Sequence, residues 1–348
     1  MANHQPLLLN GVPGSPYTRK MVALLRYRRI PYRLVPSSAG VPGLPTAKPH
    51  LLPTFYLPGP DGALQAVTDS TPLIRRFEAE HTGRQVLPAD PALAFVDALL
   101  EDFADEWLTK AMFHYRWTYA ADIQKAKDVL ASWLSQPLDD AALQHYADMV
   151  ADRQIPRLRY VGSNPTTQPV IEAGYLRVLN LLEDHLRIHR FLMGSRPGAS
   201  DFGFFGQLTQ LVQFDPTPMA VAVAHAPRVC GWVAMTEDLS GLEPTNSDWL
   251  AADALHDTLP DTLRALLAEV GQLYVPLLLA NAQALEAGQT ELQTHIKGAT
   301  WVQQTFAYQA KCLAWLRCDY AALPPQARAT VDRILAGTGC EALFEGRP

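Results

Sequence analysis

Leu7-Leu8-Leu9-Asn10-Gly11-Val12-Pro13-Gly14-Ser15-Pro16-Tyr17-Thr18-Arg19-Lys20 is the stretch on which the fold turns. Leu7 to Leu9 make a short apolar strand, and Gly11 to Gly14 is a turn cluster. Ser15 is a good N-cap, and Pro16 suits the first helical position, where its missing N–H would have no partner anyway. The helix carries Met21, Val22 and Leu25 to about Arg28, and Tyr32 to Val35 reads as a second strand. Strand, helix, strand at this spacing is a βαβ unit with a parallel pair.

Four prolines, Pro36, Pro42, Pro45 and Pro49, then rule out a regular helix. Thr54–Leu57 and Leu64–Val67 read as strands around the turn Pro58–Gly62, a hairpin. Ser70 is expected to cap a helix from Thr71 or Pro72 to about Glu80. Residues 1–84 therefore form an α/β unit ordered βαβ, link, ββα. Beyond Arg84 no strand is expected, and Pro88 and Pro91 mark a linker. Helices are expected at about 91–119, 122–135, 139–153, 168–189, 200–213, 226–238, 260–288, 299–318 and 325–336. Leu99, Phe103, Glu106 and Trp107 show the spacing of one helix face. The expected parts are 1–84, an all-α domain over 91–240, and an additional helical extension over 241–348 packed on it.

The 348 residues fit two domains, or one with a long extension. With 48% apolar residues the chain has material for a packed core. A net charge of −6 gives no electrostatic reason to bind nucleic acid or an anionic membrane. Leu273 to Leu285 is too short to span a bilayer and is broken by Pro276 and Asn281. Met1 to Pro6 lacks the basic start of a signal peptide, so a cytoplasmic protein is expected. Cys230, Cys312, Cys318 and Cys340 form no CxxC pair and no zinc-spaced cluster; all four are expected to be buried or half-buried thiols. There is no P-loop and no HExxH, and Gly11 and Gly14 do not make a GxGxxG. No metal and no cofactor is expected.

Four local features, in order, resemble the glutathione transferase superfamily. Gly14-Ser15-Pro16-Tyr17-Thr18-Arg19-Lys20 resembles a serine-class active-site turn. Leu52-Pro53 stands where that family has a cis-proline. Asp69-Ser70 is similar to its acidic-Ser pair before a helix. Arg196-Pro197-Gly198-Ala199-Ser200-Asp201-Phe202 resembles the helix start of its C-terminal domain, with Asp201 as the buried aspartate. The resemblance covers roughly residues 6 to 240 and implies a thioredoxin-like domain followed by a helical one. It also implies glutathione as co-substrate, a small hydrophobic electrophile as second substrate, and a homodimer, whose usual surface the extra C-terminal helices would block or replace.

The resemblance assigns roles. Ser15 would donate a hydrogen bond to the glutathione sulfur, with the helix N-terminus favouring the thiolate. The plain alternative is an N-cap worth about 1 kcal/mol. Tyr17 is the fallback hydroxyl. Leu52, ahead of a cis Pro53, would pair strand-fashion with the cysteinyl part of the ligand. Ser70 would hold the γ-glutamyl carboxylate and Asp69 its ammonium group. Lys48 or His50 would meet the glycine carboxylate, against the plainer reading of solvated charges. Asp201 would be structural, accepting backbone N–H bonds; the family's Ser or Thr is Gly198 here, which weakens the capping box, although Ser200 is placed to help. His114, Tyr115 and Trp117 are candidates for the electrophile pocket, or core residues.

Two functions compete: an enzyme conjugating glutathione through Ser15, and a non-catalytic binding or scaffold protein using the extension. A thiol-disulfide reductase ranks last, because the first 229 residues contain no cysteine. A tyrosine-class enzyme is disfavoured by Leu8-Leu9-Asn10 at the end of the first strand.

Overall fold

The computed structural model describes residues 5–36, 43–133, 137–251 and 259–345. Strands β1 (Leu7–Gly11), β2 (Tyr32–Pro36), β3 (Thr54–Pro58) and β4 (Leu64–Val67) form one sheet in the order β2-β1-β3-β4. β1 and β2 are parallel, Leu9 opposite Leu34; β1–β3 and β3–β4 are antiparallel. Helix α1 (Pro16–Tyr27) is the crossover, burying Met21, Leu24 and Leu25. Helix α2 (Ser70–Glu80) closes the unit with Leu73, Ile74 and Phe77 inward. This is the expected thioredoxin-like arrangement. Ser70 differs in role: it is the first helical residue, and Asp69 stands at the cap without a side-chain cap bond.

Helical structure follows. Helix α3 (Pro91–Phe103) runs through a π-helical segment, Ala104–Leu108, into α4 (Thr109–Thr118). Asp105, Glu106 and Trp107 along it are all buried. The helix Ala199–Leu208 lies against α1. Its Gly206 makes this possible, since a Cβ there would stand 2.5 Å from the Pro16 carbonyl. The helix Pro216–His225, absent from the sequence-based assignment, separates this segment from Pro227–Thr236. The expected end of the 122–135 helix and the middle of the 36–49 proline stretch lie outside the described residues.

The C-terminal segment is not all helical. After the helix Asp261–Glu286 comes an antiparallel hairpin, β5 (Glu291–Ile296) and β6 (Ala299–Gln304), so the helix expected from residue 299 begins instead at Ala307. Ile296 pairs with Ala299, and Lys297 and Gly298 both have positive φ, 49° and 80°. That two-residue loop matches the twist of a hairpin. Leu292 and Ile296 on one face are buried, and Trp301 packs on Trp107 with ring centroids 5.4 Å apart. The hairpin is thereby set against the π-helical segment. Asp261–Glu286 is long and apolar enough to cross a membrane by length and composition, but most of it is buried among core residues, including Leu263, Val270 and Leu278. One continuous apolar core runs from Leu9 to Leu343. Cys312 and Cys340 are buried and Cys230 half-buried. Cys318 is exposed, contrary to expectation, because it lies on the outer face of Ala307–Ala322.

Candidate active site

Ser15 ends the turn between β1 and α1. Its Oγ accepts the Thr18 N–H at 3.2 Å and donates to the Leu52 carbonyl at 3.3 Å. The hydroxyl thus caps the helix and bridges to the loop before β3. Leu52–Pro53 is cis, and so is Lys48–Pro49. Among the described residues no hydrogen bond reaches the Leu52 N–H. Ser15 and the Leu52 backbone are therefore brought together. Lys48 and His50 are exposed on the loop just before them.

The turn is held from behind by the helical domain. Buried Arg116 donates to the Gly14 carbonyl at 3.0 Å and grips Asp215 through Nε and Nη2. Gln210 donates to the Pro13 carbonyl at 3.0 Å and accepts from Arg116 at 2.8 Å. The sequence gives no local sign of this clamp, whose members lie about a hundred residues apart. Half-buried Leu130 and Trp133 press on Gly14, where a Cβ would come within 2.5 and 2.7 Å of them, and Trp133 packs on Phe214. This is the apolar surface beside Ser15. His114, Tyr115 and Trp117 are core residues instead. His114 is bonded to Ser163 and Glu172, Tyr115 packs with Tyr119 and Tyr175, and Trp117 lies in a satellite core with Ala126.

Tyr17 points away from the Ser15–Leu52 contact. Its hydroxyl donates to the Asp105 carbonyl at 2.8 Å, and burial raises its pKa. Lys20, one turn on, is fully buried between Glu101 (2.6 Å), Asp105 (2.5 Å) and the Ser70 hydroxyl (3.0 Å). Burial opposes its charge, but the two carboxylates outweigh that and raise its pKa. Ser70 thus faces the domain interface. Asp69 has φ 83° and ψ 109°, a strained backbone for a non-glycine residue. Burial raises its pKa, against Tyr308 and Lys311 from the C-terminal segment. Asp69 and Ser70 adjoin, as expected, but both already have protein partners.

Asp201 is structural, as expected: it accepts the Gly198 N–H at 2.8 Å and the Leu192 N–H at 3.0 Å, and burial raises its pKa to about 7. The hydroxyl missing at Gly198 is replaced from another helix. Asp97 accepts the N–H groups of Ala199 and Ser200, both at 3.1 Å, and the Ser200 hydroxyl at 2.5 Å. Gly198 makes room for it, since a Cβ would lie 2.3 Å from Asp97 Oδ1.

Below Ser70 the π-helical segment gathers carboxyl groups. Burial, then the like charge of Asp102, raises Glu106 to about 8, while burial lowers Lys110 to about 8. A carboxyl that stays protonated in the fold but ionises near 4.5 when unfolded favours the fold below pH 4.5, and that advantage fades as pH rises to about 8. Urea unfolding at pH 5.5 and 8 should show wild type losing more stability over this interval than Glu106→Gln. Parallel losses would mean that Glu106 is ionised throughout.

The parallel βαβ unit, the cis-proline before β3 and the antiparallel β3–β4 pair define a thioredoxin-like domain. Residues 9–85 match the family model described as "Glutathione S-transferase, N-terminal domain". The N-terminal domain of this chain belongs to the glutathione S-transferase superfamily. No curated protein sequence matches the chain. Similar solved structures include a Methylobacterium radiotolerans glutathione S-transferase in complex with glutathione sulfonate (17% identity, 69% of this chain and 95% of that one, TM-score 0.43). Another is a Pseudomonas putida glutathione transferase with glutathione disulfide bound (15%, 68% and 88%, TM-score 0.40). A third is a Burkholderia graminis glutathione transferase with two glutathione molecules per subunit (16%, 76% and 89%, TM-score 0.40).

Proposed function

We propose that this chain is a glutathione transferase-like enzyme in which Ser15 stabilises the thiolate of glutathione for attack on a small hydrophobic electrophile. The contact of Ser15 Oγ with the Leu52 carbonyl, at the N-terminus of α1, supports this reading best. Its 3.3 Å length makes it a weak bond, so a thiolate placed beside Leu52 would be the better acceptor for the Ser15 proton. The positive potential at the start of α1 would favour the same charge. Leu52 would pair with the ligand backbone, and Leu130, Trp133 and Phe214 would border the electrophile. The three parts 1–84, 91–240 and 241–348, a cytoplasmic location and a homodimer belong to the same proposal.

The second reading, a non-catalytic binding protein, is favoured by Lys311 already standing beside Asp69 and Lys20 already bonding Ser70. Calorimetric titration with reduced glutathione separates the two, since saturable binding is expected of the enzyme. Ser15→Ala should then slow conjugation of an aryl halide about tenfold, the worth of one hydrogen bond to a charged sulfur, with binding little changed. An unaltered rate would remove Ser15 from the mechanism, and a wild type that does not bind glutathione would leave the second reading.

A further inference from the structure

The helix Ala307–Ala322 meets the thioredoxin-like domain at Asp69, and nothing in the family resemblance covers that contact. The Tyr308 ring stands beside this contact, its centroid 5.5 Å from the Lys311 ammonium. Lys311 Nζ stands 3.8 Å from the Asp69 carboxylate, too far for a tight pair, with its side chain 52% exposed. The ammonium lies 4.1 Å over the Trp315 ring, which keeps it close to Asp69 without neutralising it. The position of the helix is fixed from its first turn, where buried Asn281 exchanges hydrogen bonds with the Phe306 backbone at 2.8 and 3.0 Å.

Two further observations fall at the same place. Helix α2 begins at Ser70 with no side-chain cap on its first N–H groups. Asp105, nine-tenths buried, has one carboxylate oxygen on Lys20 and 3.5 Å from Ser70 Oγ, and its other oxygen has no partner. Buried acceptors of this kind call for a donor. The place therefore offers a loosely held cation beside two carboxylates, one of which keeps an oxygen without a partner. A simple anion or a simple cation would satisfy half of it. An α-amino-acid head, with a carboxylate and an ammonium on one carbon, satisfies both halves.

We propose that Lys311, from the C-terminal segment, completes the thiol-peptide site: it binds the α-carboxylate of the γ-glutamyl residue beside Asp69, which takes the ammonium. This rests on the thiol-peptide reading above and gives the C-terminal segment a place in ligand recognition. The alternative is a plug, in which Lys311 occupies the position of the ligand ammonium and must be displaced.

The test is calorimetry on the full chain, wild type and Lys311→Met, with three thiols: reduced glutathione, glutaryl-cysteinyl-glycine, which lacks the ammonium, and 4-aminobutyryl-cysteinyl-glycine, which lacks the α-carboxylate. Lys311 is half exposed, so the variant should fold, and Lys311→Arg serves as the charge-conserving control. Lys311→Met is expected to weaken glutathione and the glutaryl thiol about three- to tenfold, the range for a partly exposed ion pair, and to leave the 4-aminobutyryl thiol unchanged. Lys311→Arg should retain most of the affinity. Unchanged or tighter glutathione binding by Lys311→Met, beside a wild type that binds, overturns the assignment alone. A wild type that binds none of the three thiols overturns it together with the thiol-peptide reading.

Discussion

Arg116→Met is expected to cost about 3–5 kcal/mol of folding stability, because it would leave Asp215 buried without its counter-charge. Asp215 is wholly inaccessible and Arg116 nearly so. Burial raises the Asp215 carboxyl, and the Arg116 guanidinium is the main group that opposes it. The same change removes the donors to the Gly14 carbonyl and to Gln210. Removing both charges, as Arg116→Met with Asp215→Leu, should recover a large part of the loss, since a well-packed apolar pair often matches a buried ion pair. Urea unfolding of the two singles and the double measures this as a coupling energy. A single variant within about 1 kcal/mol of wild type would contradict the burial argument, since losing one partner of a buried pair costs several times that.

Asp97→Ala should cost about 3 kcal/mol, since it leaves the Ser200 N–H and hydroxyl with no acceptor in a dry interior, while the Ala199 N–H keeps only the Val86 carbonyl. Its pKa is pushed well up by burial, with Ser200 pulling it back, so the carboxylate is itself held at a cost. The partner substitution is Gly198→Ser. Alone it should destabilise, because its Cβ would crowd Asp97. Combined with Asp97→Ala, it has room, and its hydroxyl can cap the helix locally, for a return of about 1 kcal/mol. Thermal unfolding of the four proteins decides the matter. Strictly additive losses would show that Gly198 and Asp97 do not substitute for one another.

What was legible in the sequence was local. Ser15-Pro16 marked the start of α1, the alternation around Pro58–Gly62 marked the β3–β4 hairpin, and Asp201 was placed as an acceptor three residues from the N–H it binds. The missed hairpin was local too: Leu292, Thr294 and Ile296 alternate before Lys297-Gly298, and the helical run further on masked them. The remaining misses join residues far apart in the chain. Arg116 meets Asp215, Asp97 meets Ser200, and Asp69 meets Lys311. Nothing in the periodicity of either partner specifies the other. His114, Tyr115 and Trp117 were offered for the pocket because they sit near the end of a long helix. The π-helical segment ahead of them changes which faces of that helix look inward, and no residue type announces such a turn.

The contact between Asp69 and the helix Ala307–Ala322 also sets an order of events during synthesis. Lys311 follows Asp69 by 242 residues. At 5–20 residues per second that is roughly 10 to 50 s, ample for a βαβ–ββα unit to fold on the ribosome. Through that interval the nascent chain carries Asp69 and Ser70 without Tyr308 or Lys311, and Lys110 without its Gln303 partner. The strands and helices of the first domain can form early, but the neighbourhood of Asp69 is among the last parts of the molecule to be finished.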